Sequence, residues 1–362
     1  MPFRRDEPAG ATLTGAYTLR NVGDDVFAHL FAAMLRRHGY ERLYVQHATP
    51  QLQRALHAAP AEGTRDAVDR SRVVIYGGGG ALGTGGLSSI VEEHHKFEYL
   101  WKLAWYCRWR RKPLYLLGVG AGPWTTRASK RRVRHILQGA AGVIVRDEAS
   151  SAALRELLPR VNGRLKVLAD PAYAIDYAKL RSKPQRFGLP QPCLGVNLCP
   201  VSGYRSGLPP TEAAQEIIDA VQELARQGTI RSVIWFSTTD GSELEWACRG
   251  VQALPEISRL VWYDGDPWAW ISHLGECRTM LSMKLHSALF AAGMGCGIIG
   301  IGFHPKVVRF YRQFSAQTFC DSLDALAPGD IAPFIRQTLP GAAGLASTPT
   351  WQKLRGLAHE LL

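Results

Sequence analysis

Short β-branched runs, each ending at glycines or at a charged motif and each followed by a helical pattern, recur along the 362-residue chain. This alternation limits the fold more than any other feature. The runs at 43–46, 72–76, 114–118, 142–145 and 165–169 are apolar but for Gln46, Arg72 and Lys166, as strands covered on both faces largely are. Helical patterns separate them at Asp25–His38, Trp101–Arg110 and Ser129–Gly139. In the first of these, Val26, Leu30, Ala33 and Met34 recur at helical spacing and Gly39 ends the helix. The pattern lapses over 176–192, which is rich in Lys, Arg, Pro and Gln, and then restarts. Strands are predicted at 194–198, 232–236, 259–262, 279–282 and 298–301, and helices at 211–227, 267–274 and 287–294. Alternating β and α implies parallel sheets covered by helices. Two successive blocks imply an α/β fold of two Rossmann-like domains facing a cleft. The expected boundaries are 1–180 for the N-terminal domain, 181–192 for a linker and 193–340 for the C-terminal domain. An Ala/Gly/Pro/Thr-rich tail then closes with a helix, over 341–362. The length suits two domains of about 150 residues each.

Lys and Arg number 43 against 31 Asp and Glu, a formal net charge of +12. That excess points to anionic partners. The basic residues read as dispersed and no nucleic-acid-binding motif is present, so nucleic acid is not expected as a partner. The seven cysteines form no C-x-x-C pair, which argues against a disulfide framework or zinc site and for free thiols in a reducing compartment. The start of the chain is charged and lacks an apolar h-region, and no run approaches eighteen uncharged apolar residues. A cytoplasmic location is expected. The segment Tyr99–Lys112 is both basic and aromatic. It reads as a sheet-covering helix with a solvated basic end, or as a peripheral contact with the inner membrane.

Five strand ends carry candidate chemistry. The strand at 72–76 runs into Gly77-Gly78-Gly79-Gly80, and the next ends in Gly118-Val119-Gly120-Ala121-Gly122-Pro123. Such loops expose backbone amides and let a ligand approach the main chain, or else serve as tight turns. Neither loop is a Walker A motif, and the second fails G-x-G-x-x-G because Pro123 stands at the place of the last glycine. Asn21-Val22-Gly23-Asp24-Asp25 follows the first strand and opens a helix. One aspartate serves as a cap, while Asn and two acids together also suit sugar hydroxyls and a general base. A buried strand delivers Arg146 to its end, where a guanidinium suits a carboxylate or phosphate, and Asp147 beside it reads as a helix cap. In Ser282-Met283-Lys284-Leu285-His286-Ser287, strand parity puts Lys284 and His286 on one face ahead of a helix, as a cationic, proton-exchanging anion site. Lys306 follows one further strand end. No metal is expected, since His94-His95 lacks ligand spacing and no dense carboxylate cluster is present.

With these motifs in order over about 15–310, together with Ala169-Asp170-Pro171-Ala172, the chain resembles the polysaccharide pyruvyl transferase family. The resemblance implies a fold similar to that of GT-B glycosyltransferases. It implies transfer of a pyruvyl unit from phosphoenolpyruvate to a sugar of a polysaccharide or lipid-linked precursor, usually as a ketal, with no cofactor. It assigns donor binding to Lys284, where many members carry Arg, with His286 catalytic. Arg146, Gly78, Gly79, Gly120 and Lys306 complete the expected donor set. Asp24 and Asp25 are the candidate bases, and Asn21 with His94 or His95 the candidate acceptor contacts. A homo-oligomer is compatible with the sequence. The alternative reading is a GT-B glycosyltransferase with a nucleotide-sugar donor.

Overall fold

The computed structural model describes residues 10–83, 90–124, 126–182, 187–199, 209–302, 305–314, 319–320 and 329–362. The chain forms two compact units. The first holds the residues up to Leu19, then Asp24–Ala174 and Gly356–Leu362; the second holds Arg20–Gly23 and Ile175–Arg355.

In the first unit six strands, β1 (Gly10–Tyr17), β2 (Arg42–Ala48), β3 (Ser71–Gly77), β4 (Leu114–Val119), β5 (Gly142–Val145) and β6 (Leu165–Val167), make a parallel sheet in the order β2-β1-β3-β4-β5-β6. Its helices are α1 (Val22–Arg37), α2 (Pro50–Ala55), α3 (Thr64–Asp69), α4 (Ile90–Trp109), α5 (Arg127–Gly139) and α6 (Glu148–Leu157). Leu100, Leu103 and Cys107 of α4 pack with Val133, Ile136 and Leu137 of α5 over Val74, Leu116 and Val143 of the sheet. Strands buried on both faces need this covering, which is why their runs are mostly apolar, Arg72 and Lys166 being exposed. Asp147 caps α6, accepting from the Ser150 amide at 2.7 Å.

The second unit repeats the plan. Strands β7 (Cys193–Asn197), β8 (Ser232–Ser237), β9 (Ser258–Trp262), β10 (Thr279–Ser282), β11 (Gly297–Ile301) and β12 (Phe319–Cys320) make a parallel sheet in the order β12-β11-β10-β7-β8-β9. Its helices are α7 (Tyr177–Arg181), α8 (Pro210–Arg226), α9 (Ser242–Ala253), α10 (Pro267–Leu274), α11 (Leu285–Gly293), α12 (Pro305–Arg312), α13 (Ile331–Thr338) and α14 (Pro349–Leu361). The last three turns of the chain are shared out: α14 groups with the second unit up to Arg355 and with the first beyond it. Phe187, from the expected linker, stacks on His273 of α10 (centroids 4.7 Å apart) and donates its amide to Glu276 at 3.0 Å.

Helix α9 escapes the periodic reading because Gly250 interrupts it, and a mid-helix glycine costs roughly 1 kcal/mol relative to alanine. The fold requires that glycine. A Cβ on Gly250 would overlap the indole of Trp235, a fully buried side chain on β8. Gly250→Ala is therefore expected to lower stability by roughly 1–3 kcal/mol, read as a fall in melting temperature by circular dichroism. A midpoint that stays or rises would mean that helix propensity outweighs the overlap.

Candidate active site

Open α/β sheets bind ligands beyond the carboxyl ends of the strands, where successive crossovers diverge. In the second sheet that switch point lies between β7 and β10, and Asn197 and Ser282 are register partners at its rim. The Asn197 amide nitrogen donates to the carbonyl of Phe236 (2.9 Å) and to Glu243 Oε1 (2.7 Å). Glu243, on α9, is only 4% exposed. It also accepts from the Thr238 amide at 2.7 Å, the Thr238 hydroxyl at 3.1 Å and Lys284 Nζ at 2.7 Å. Lys284 Nζ donates to the Thr238 hydroxyl as well. A carboxylate taken out of water is tolerated only when its charge and lone pairs are engaged, and here they are.

The Ser282 hydroxyl closes the turn from β10 into α11. It accepts from the Lys284 amide (3.1 Å) and donates to the Lys284 carbonyl (2.9 Å), which makes Lys284 the N-cap residue. The expectation that Lys284 and His286 share one strand face does not hold, because β10 stops at Ser282. Lys284 turns to Glu243, whereas His286, in the first turn of α11, stacks on Phe290 with centroids 5.7 Å apart and planes 18° from parallel. Lys306, in the first turn of α12, lies close enough with Lys284 to oppose the effect of burial on the Cys199 thiol. Burial still prevails and pushes that thiol up to about 11.

The short segment 20–23 is bound into this same unit. The Val22 amide donates to the Thr238 carbonyl at 3.1 Å, and Arg20 pairs with Asp240 at 3.4 Å on the surface. Asn21 Oδ1 accepts from the Gly23 amide at 3.0 Å, folding the chain so that Gly23 lies flat against His286. A Cβ at Gly23 would overlap the imidazole at Nδ1. The glycine of Asn21-Val22-Gly23 is thus a close-approach position for a side chain more than 260 residues away in sequence.

In the first sheet the switch point lies between β1 and β3. The two glycine loops bond to each other there. The Gly78 amide donates to Leu117 O (2.8 Å), the Gly120 amide to Gly79 O (2.9 Å) and the Leu82 amide to Gly120 O (3.0 Å). These amides extend the sheet between β3 and β4. Asp24 Oδ1 lies near Gly79, and Asp24 with Asp25 adds to the effect of burial in raising the Tyr17 phenol. Asp24 is half-buried and Asp25 fully buried. Arg146 reaches the side of Gly120 and pairs with Asp170 at 3.2 Å, both side chains less than one-tenth exposed. Asp170 also accepts from the Ala172 amide at 3.1 Å. His94 and His95 fall on α4, but their side chains lie outside the described residues.

A family model described as polysaccharide pyruvyl transferase matches residues 21–305, from Asn21 to the first residue of α12. The chain belongs to the polysaccharide pyruvyl transferase family. It is therefore a transferase enzyme of a family that takes a donor and a glycan acceptor. A comparison with curated proteins finds no match. Among solved structures, UDP-GlcNAc 2-epimerase from Neisseria meningitidis bound to UDP-GlcNAc is similar over 98% of this chain and 98% of that chain, with a TM-score of 0.62 and 9% identity. MurG from Acinetobacter baumannii is similar over 98% of each chain, with a TM-score of 0.52 and 12% identity. At these identities the likeness is one of fold, and it is the GT-B type that the family resemblance implies.

Within this transferase the second unit assembles Lys284, His286, Lys306 and Asn21, and the first assembles Asp24, Asp25, Gly78, Gly79, Gly120 and Arg146. Sequence reading missed Glu243, Thr238 and Asn197. The available signal was Thr238-Thr239-Asp240-Gly241-Ser242-Glu243 directly after a predicted strand, which repeats the turn-and-acid grammar of the motif at 21–25.

Two outcomes follow from this geometry. Glu243→Ala leaves the Lys284 ammonium in its pocket without its carboxylate, and removing one member of a buried pair costs roughly 3–5 kcal/mol. Glu243→Gln keeps the shape and much of the hydrogen bonding, so urea denaturation should find it distinctly more stable than Glu243→Ala; equal losses would refute the pairing. Separately, a thiol near 11 is almost wholly protonated at pH 8 and unreactive. Iodoacetamide at that pH should leave Cys199 unmodified while alkylating the partly exposed Cys248, as peptide mass spectrometry would read. Early modification of Cys199 would contradict its burial.

Proposed function

We propose that this transferase moves the pyruvyl group of phosphoenolpyruvate onto a sugar of a bacterial polysaccharide or a lipid-linked glycan precursor, closing it as a ketal across two hydroxyls. The observation that carries this reading is the packing of Gly23 against His286. Motifs near the two ends of the family match meet at one imidazole, on the first turn of a helix that follows a central strand. Free, buried cysteines suit a reducing, cytoplasmic setting.

Phosphoenolpyruvate brings a carboxylate and a phosphate. The first-turn amides of α11 and the Lys306 ammonium favour an anion at this position. Lys284 acts there as half of an ion pair, a placed hydrogen-bond donor rather than an uncompensated charge. It also lacks the bidentate fork of the Arg found in many relatives. In the proposed chemistry a sugar hydroxyl adds to C2 of the donor while Asp24, the half-buried carboxylate, takes its proton. Protonated His286 gives a proton to C3, which becomes the methyl group. Phosphate leaves C2 with the bridging oxygen and its electron pair, carrying off the proton held by Asp24. The second hydroxyl then adds to C2, and its proton restores His286. The products are the ketal and inorganic phosphate.

General acid–base help of this kind is worth roughly 10²–10⁴-fold. His286→Ala should lose that much in kcat, measured as phosphate release, with an unchanged melting temperature. Gly23→Ala should reproduce a large part of the loss by displacing the ring. Near wild-type turnover of His286→Ala would end the assignment. The donor itself is tested by thermal shift with phosphoenolpyruvate, UDP, GDP and CMP. A ligand at about 100 times its Kd adds roughly 2.7 kcal/mol of stability. A shift with phosphoenolpyruvate alone is expected. A shift with one nucleotide alone would replace this reading by a nucleotide-sugar glycosyltransferase.

A further inference from the structure

Nearly the whole net charge of the chain sits on one stretch. Residues 99–146 contain eleven Lys and Arg and no Asp or Glu, against an excess of twelve for all 362 residues. The expectation that the basic residues are dispersed is therefore corrected. The structure puts this stretch on α4, β4, α5 and β5. The crossovers from β3 to β4 and from β4 to β5 step in the same direction across the sheet, so right-handed connections place α4 and α5 side by side on one face. They touch closely: a Cβ at Gly139 of α5 would stand 3.2 Å from the Ala104 carbonyl of α4.

Their outer surface is unusual in two ways. First, Trp105 and Trp109 are 61% and 63% exposed and stack on each other, centroids 6.2 Å apart and planes 13° from parallel. The Arg110 guanidinium lies over the Trp109 ring at 5.4 Å. Beside them Thr64, Tyr99, Trp101 and Tyr106 line a cavity of about 390 Å³, so the apolar surface extends beyond the two indoles. Secondly, α5 exposes Arg127, Lys130, Arg131 and Arg134 and has no acidic residue anywhere, its first turn included. Cations at a helix N-terminus oppose the helix dipole, so folding gains nothing from this arrangement. Nearby acids temper only part of the charge: Asp69 pairs with Arg110 at 2.7 Å and Glu98 with Lys102 at 2.6 Å.

We infer that the outer face of α4 and α5 docks on an anionic phospholipid bilayer, with Trp105 and Trp109 seated at the headgroup level and the α5 cations over the anionic headgroups. Indoles prefer that depth, and stable peripheral binding takes an apolar element together with a polybasic one. No helix among the described residues is long and apolar enough to cross a membrane, so the contact is peripheral. A single-stranded nucleic acid would use the cations and stack bases on the indoles, but the apolar cavity beside them gives it nothing to bind, whereas it extends the surface a bilayer would cover.

The test is cosedimentation of the full chain, without substrate, with sucrose-loaded vesicles of phosphatidylcholine alone or with about a third phosphatidylglycerol. Binding is expected only to the anionic vesicles, weakening as salt rises to ~0.5 M. Each basic residue at such a surface contributes about fivefold, so Lys130→Gln with Arg131→Gln should weaken partitioning by about 25-fold. The same charge removed at the exposed Arg155 and Arg160 of this unit should leave binding within about twofold. Trp105→Ala with Trp109→Ala should weaken binding at every salt concentration. All these positions are exposed, and circular dichroism verifies the fold of each variant. Absence of binding to anionic vesicles would overturn the inference. So would binding that ignores both the tryptophan and the α5 pairs, or binding to single-stranded RNA as tight as to anionic vesicles.

Discussion

A cation locked to a buried carboxylate organises each strand-end constellation in this transferase. Glu243 holds Lys284 in the second unit, and Asp170 holds Arg146 in the first. Taking such charges out of water costs several kcal/mol per ion, and only complete hydrogen bonding offsets it. The neighbouring donors are therefore fixed as well: Asn197 and Thr238 around Glu243, and the Ala172 amide at Asp170. What results is orientation rather than free charge. Lys284 is held at one point of the turn that starts α11, and His286 stands two residues further on, clamped between Phe290 and the bare backbone of Gly23.

Much of the fold was legible in the sequence because parallel strands buried on both faces have little freedom to be polar, and buried polar residues such as Asn197 and Ser282 stand at their ends. The segments 142–145 and 279–282 coincide with β5 and β10, and 267–274 with α10. Helix α4 is eleven residues longer at its start than its apolar periodicity suggests, beginning at Ile90 rather than Trp101, and α9 was invisible behind Gly250. Site reading turned to motifs at strand ends, since that is where sequence order and ligand position coincide in open α/β sheets. It has no purchase where a role depends on a partner. Nothing local to Glu243 says that it neutralises Lys284, and nothing local to Gly78 or Gly120 says that their amides face each other's loop rather than a ligand. Strand parity misled at Lys284 and His286 because the strand had already ended.

Charge shows the same contrast between composition and placement. A net +12 spread evenly is a statement about solubility. Ten of those cations on two adjacent helices and the turns that follow and precede them, next to two exposed indoles, make a surface with a direction. That surface belongs to elements remote in sequence from Lys284 and His286, so docking and chemistry are free to vary independently.

The division of the chain bears on the order in which the protein is made. Asn21–Gly23 are translated before most of the first unit yet belong with the second, and Gly356–Leu362 are translated after the second unit yet belong with the first. Neither unit is complete as a single contiguous stretch of nascent chain. The surface of His286 that Gly23 covers is unclad until a segment translated more than 260 residues earlier returns to it. Formation of the imidazole's environment therefore waits on translation of α11, long after Gly23 is available, and a chain that stops short of α11 carries the glycine without the ring it packs against.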